Sequence, residues 1–77
     1  MKFERDYNTV YKHVINGYRC VDESGNEKCY INKIARPVGI CNEVVDGWEV
    51  VENKYSTKRF LYASTLKEAK AYVTEKF

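Results

Sequence analysis

At Thr65 the hydrophobic period of this chain changes, and the change limits what the rest can fold into. Before it, Trp48-Glu49-Val50-Val51-Glu52 alternates apolar with charged side chains, as a strand with one buried face does. Arg59-Phe60-Leu61-Tyr62-Ala63 is short, aromatic-rich and again strand-like. After it, Leu66, Ala69, Val73 and Phe77 recur at helical spacing and form a single apolar stripe. Thr65 and Glu68 make a capping-box pair, in which each side chain can satisfy a backbone N–H at the helix start. Lys67, Lys70, Thr74 and Glu75 lie mostly on the opposite side, and Ala69 and Ala71 favour the helix while allowing close approach. A helix with one apolar stripe needs a sheet to cover, and the preceding strands provide it.

Upstream, turn signals come at short intervals. Asp46-Gly47, between Glu43-Val44-Val45 and Trp48, spells a type I′ hairpin turn, and Asn16-Gly17, between Ile15 and Tyr18, spells another. Glu23-Ser24-Gly25-Asn26 separates a strand over Tyr18–Asp22 from one over Lys28–Ala35, where Cys29 and Ile31 face one way and Tyr30 and Ile34 the other. Arg36-Pro37 stops that strand, and Ile40 to Val45 leads into the Asp-Gly turn. Thr9–Ile15 reads either as a strand or, with Asn8 as cap, as a short helix. Its β-branched content favours the strand. Residues 1–8 are polar and expected to dock loosely. With no helix between strands, the expected fold is α+β: one domain over 1–77, an antiparallel β-meander of five or six strands with one C-terminal helix packed on one face.

Seventy-seven residues leave room for one modest core. Thirteen basic against eleven acidic residues give a net charge of +2, too balanced to announce nucleic acid. No apolar run approaches a membrane span. The charged opening Met1-Lys2-Phe3-Glu4-Arg5-Asp6 does not resemble a signal peptide, so a cytoplasmic location is expected. Three cysteines, an odd number, carry no obligatory disulfide in such a compartment.

Few constellations could carry chemistry. Cys20 and Cys29 flank the Ser-Gly turn and could face each other across the hairpin, with Cys41 and His13 as further zinc ligands. No Cys-x-x-Cys pair locks two ligands together, and reduced core cysteines are the simpler account, so neither metal nor cofactor is expected. His13, a cysteine and Asp22 would be needed for a nucleophile–base set, and nothing in the spacing unites them. The chain reads as a non-enzyme. Lys54, Lys58, Arg59, Lys67 and Lys70, interleaved with Tyr55, Phe60 and Tyr62, suit phosphate contact with base stacking, although Glu49, Glu52, Glu68 and Glu75 dilute the field. Tyr18, Tyr30, Trp48, Tyr55 and Tyr62 are more aromatics than one helix can cover. An uncovered, aromatic second sheet face is therefore expected, and with it a protein partner or a second copy of the chain.

Gly47-Trp48-Glu49-Val50, Arg59-Phe60 and Thr65-Leu66-Lys67-Glu68-Ala69 resemble two families. One is the arm-type DNA-binding domain of phage-type integrases, although Phe60 stands five residues before Thr65 where that family has two, and acids match bases on the strands. The other is the class of small phage or mobile-element proteins, anti-CRISPR and host-takeover inhibitors among them, which pair a short antiparallel sheet with a similarly opened helix. The second resemblance implies an inhibitor or accessory protein acting on a protein partner, with Tyr30, Arg36, Trp48, Tyr55, Arg59 and Tyr62 as contact residues. The competing expectation is a nucleic-acid binder using Lys54, Lys58, Arg59 and Lys67.

Overall fold

The computed structural model describes residues 1–40 and 42–77. Five strands and a helix follow one another: β1 (Lys2–Tyr7), β2 (Ile15–Val21), β3 (Glu27–Pro37), β4 (Glu43–Val51), β5 (Arg59–Ala63) and α1 (Leu66–Lys76). The strands form one antiparallel sheet in chain order, and α1 lies across β3, β4 and β5, so the expected meander with a C-terminal helix is what the chain adopts. Among the described residues no helix is long and apolar enough to cross a membrane.

The helix starts as its sequence dictates. Thr65 is extended (φ −128°, ψ 153°) and its Oγ1 accepts from the Glu68 N–H at 3.2 Å, while the Glu68 carboxylate accepts from the hydroxyls of Ser64 and Thr65. At the other end the Phe77 N–H donates to the Val73 carbonyl, and the Phe77 ring sets its edge against Phe60 at 5.8 Å. Ala69 and Val73 are fully buried, and Leu66 and Tyr72 pack beside them. The facing surface of the sheet is set by register: Phe3 opposite Cys20, Cys20 opposite Cys29, Tyr18 opposite Ile31, Ile31 opposite Val50 and Val50 opposite Leu61. Each of these pairs places two apolar or thiol side chains together beneath the helix, and this is the core.

Four expectations are corrected. Residues 1–8 are not loosely docked, because Lys2–Tyr7 is the edge strand β1. Its alternating charges, which read as a solvated tail, belong to an edge strand whose outer face carries ion pairs. Of Thr9–Ile15 only Ile15 is strand, and Thr9 to Val14 is neither strand nor helix. Asn8 Oδ1 accepts from the N–H groups of Val10 and Tyr11, an Asx turn that reverses the chain before β2 begins at Ile15. Asn16-Gly17 and Asp46-Gly47 are not turns. Both dipeptides lie within strands, and the pairing shifts between Ile34 and Ala35 so that Asp46 is an extra residue, a bulge in β4. Finally, β4 starts at Glu43, leaving Ile40 outside it.

The face away from α1 is not an open aromatic surface. Tyr30 is only 2% exposed, because its ring lies over Gly17 and its hydroxyl donates to Asp6 Oδ2 at 2.6 Å, with Lys54 Nζ on the same carboxylate oxygen at 2.8 Å. Around this latch runs a lattice of charge: Arg19 between Glu4 and Glu27, and Glu49 accepting from Asn32 and Arg59. Most of these pairs are half-exposed and individually weak, but together they fill the face with satisfied polar groups. At Asp6, burial opposes ionisation, but the hydrogen bonds from Lys54 and Tyr30 outweigh it and hold the carboxyl below its ordinary value of 3.8. A depressed folded-state pKa means stability that is present at neutral pH and lost as pH falls below that ordinary value. Thermal melts between pH 7 and pH 2 should show an acid limb that Asp6→Asn flattens. A limb unchanged in the variant would show that Asp6 carries none of it.

Candidate functional site

The strands do not stay together along their whole length. The last β2–β3 pair is Gly17–Asn32, and β5 reaches no further along β4 than Trp48, opposite Ala63. Beyond these points β3 and β4 continue as a two-stranded ribbon, from Ile34–Gly47 to Pro37–Glu43, closed by the Val38 N–H donating to the Asn42 carbonyl. The β1–β2 turn stands at the same end of the molecule, since alternate connections of a meander share an end. The body measures 39 × 23 × 21 Å, so ribbon and turn give it one distinct extremity.

Between them lies a cleft of about 390 Å³, lined on the turn side by Tyr11, His13, Val14 and Asn16 and on the ribbon side by Lys33, Ala35, Pro37 and Glu43. Lys33 and Glu43 form an ion pair within it, and the Lys33 side chain is only 11% exposed. Asn8 donates to Asn16 Oδ1, tying the turn to the root of β2. Around the cleft the molecule shows most of its exposed large apolar side chains: Ile40 at 90%, Val10 at 76%, with Tyr11, Val38, Val44 and Val45 also exposed. A pair of strands with no third strand beside it is marginal in water, so such a ribbon gains by being covered.

The residues expected to make contacts fall elsewhere. Tyr30 is buried in the latch and cannot reach a partner. Trp48 sits half-buried on the helix side, tilted against Tyr18 with ring centroids 6.0 Å apart. Tyr62 lies over Gly47 and donates to the Asp46 carbonyl at 3.0 Å, and Arg59 lies over the Tyr62 ring while binding Glu49. Tyr55, 87% exposed, stands in the β4–β5 loop at the opposite end from the cleft. Arg36 alone is on the ribbon, paired with Asp46 at 3.2 Å. The cations of the nucleic-acid expectation do not form a free row either. Lys54 is held by Asp6, Arg59 by Glu49, Lys58 lies over Phe60, and Lys67 stands exposed on the helix.

The exposure of Val10, Val38 and Ile40 escaped the sequence reading, because isolated apolar residues in turn-like segments carry no periodic signal, and Val44 and Val45 were read only as the strand that enters a hairpin. The one available clue was the position of Val38 and Ile40 next to glycine and proline, where burial in a regular element is hard to achieve. Cys20 and Cys29 do face each other, as their spacing allowed, and both are fully buried thiols under α1. The contact with Cys29, together with burial, pushes the Cys20 thiol well up, so it does not supply a thiolate at neutral pH. Among the described residues no group of three His, Cys, Asp or Glu side chains is placed to hold a metal, and Cys41 lies outside the described residues. No protein-family model, no curated protein and no solved structure matches the chain.

Proposed function

We propose that this chain is a non-catalytic binding module that engages another protein through the ribbon-and-turn end, not through the open face of its sheet. One observation carries this reading: Ile40, Val10, Tyr11, Val38, Val44 and Val45 are exposed together at one extremity of a body whose remaining apolar side chains are mostly packed under the helix. The charged residues support it from the other side. Most cations that a phosphate backbone would need are engaged by carboxylates or lie over aromatic rings, which lowers their value for nucleic acid. Blocking a surface of the partner, as the sequence resemblance to small phage-type inhibitors implies, is the role that suits a short body with one sticky end.

The test compares wild type with Ile40→Asp/Val45→Asp, two exposed positions where a charge should leave folding intact. Capture of one protein by the wild type, weakened by at least about tenfold in the variant and little changed between low and moderate salt, is the expected result. Equal capture by both would remove the proposed surface. Capture that collapses with salt or nuclease would favour nucleic acid instead.

A further inference from the structure

The chemistry of the ribbon points to one kind of occupant, and the inference rests on the protein-binding reading above. Over Lys33–Pro37, β3 has β4 on one side and, among the described residues, no strand on the other, because β2 leaves it after Gly17–Asn32. In an antiparallel strand, alternate residues direct both N–H and C=O to the same side, so this stretch presents unpaired backbone donors and acceptors beside the cleft. A helix has no backbone groups to give them, whereas an extended chain has a matching row. Natural edges of this kind are usually blunted by charge, proline or a bulge. Here Pro37 closes only the far end of the edge, and the bulge at Asp46 lies in β4. Five residues of edge span about 16 Å, enough for a short strand.

The side chains narrow the chemistry further. Lys33, Ala35 and Pro37 line the cleft, so they share one face of β3, and every second side chain of an added strand would enter the same space. It would meet Val14, Ala35, Pro37 and the Tyr11 ring, which suits small or β-branched apolar groups. Lys33 is matched by Glu43, while Lys12, on the turn next to the cleft-lining His13, is a cation with no acidic partner among the described ion pairs. A carboxylate next to the apolar positions complements it. We propose that the free edge of β3 at Lys33–Pro37 accepts an extended segment of a partner protein, apolar at alternate positions and flanked by an acidic residue, as an additional strand of the sheet.

Random linear nine-residue peptides displayed on phage, selected against the full chain, supply the probe. The strongest binder is then synthesised and titrated while backbone amide shifts are followed. Enrichment of alternating apolar sequences carrying Asp or Glu is expected, with shifts concentrated at residues 8–14 and 33–37. Methylating the peptide's amides one at a time should weaken binding by at least about tenfold at alternate positions only, the signature of a strand ladder. Failure to enrich any peptide, shifts at other places, or weakening without alternation would each overturn the proposal. Should the Ile40→Asp/Val45→Asp variant lose its protein partner while the peptide experiment fails, strand addition falls and the binding-module reading stands.

Discussion

Gly17→Ala is expected to lower stability by about 3 kcal/mol, at the upper end of what overpacking costs. A Cβ built on Gly17 would stand 2.2 Å from the Ile31 carbonyl oxygen and 2.9 Å from Cε1 and Oη of Tyr30. The nearest obstacle is backbone of the central strand, so relief requires β2 and β3 to move apart. A domain of this length holds roughly 4–12 kcal/mol in all, and each kcal/mol is worth about 4–8 °C, so the melting point should fall by about 12–24 °C. Gly25→Ala provides the contrast. Gly25 is in the left-handed region (φ +84°) with nothing within 4 Å, so its variant suffers only backbone strain of about 1–2 kcal/mol. Gly47→Ala meets the Tyr62 ring, an exposed side chain that can swing away at the loss of one hydrogen bond to Asp46. Melts that place Gly17→Ala above either of the other two would contradict the close-packing account.

The same two glycines explain where sequence reasoning failed. Asn16-Gly17 and Asp46-Gly47 have the composition of hairpin turns, but here glycine serves to let Tyr30 and Tyr62 lie flat across a strand. That role depends on a diagonal neighbour in the next strand, and nothing local announces it. Once those rings are laid over glycine, the expected exposed aromatic face shrinks, although Tyr62 stays half-exposed. Tyr30 becomes buried, and the proposed partner surface lies instead at the ribbon end. By contrast, α1 was fully legible, since the Thr65–Glu68 cap and the Leu66–Ala69–Val73 stripe are local patterns. The shared face of Cys29 and Ile31 was legible for the same reason, because alternation survives whatever the register. β1 was hidden because four of its six residues are charged, which suits an edge strand and a solvated tail equally well. The cleft was beyond reach, since it arises where two strands part, and parting leaves no mark on composition.

Ile31→Ala is expected to cost about 3–4 kcal/mol, the larger of the two effects. Ile31 is fully buried and sits at the middle of the central strand, opposite Tyr18 on one side and Val50 on the other, with Ala69 and Val73 of the helix in the same cluster. These neighbours belong to elements fixed by ladder hydrogen bonds and by a capped helix, so the site cannot collapse around a smaller side chain, and the cavity persists. Urea unfolding should show a lower midpoint with an unchanged slope, because the surface exposed on unfolding is nearly the same. Ile34→Ala, on the opposite face of the same strand and half-buried, controls for the loss of a β-branched residue and should cost clearly less. A loss below about 1.5 kcal/mol at Ile31 would mean that the helix settles into the gap and that the core is softer than its packing implies. The two substitutions also bear on each other, since the Cβ that Gly17→Ala adds would press on the carbonyl of Ile31 itself. Residues in direct contact do not add, so the double variant should lie away from the sum of the singles by more than about 0.5 kcal/mol. Additive losses would mean that the β2–β3 strain is absorbed elsewhere, most simply by the two strands opening further along the parting that already forms the cleft.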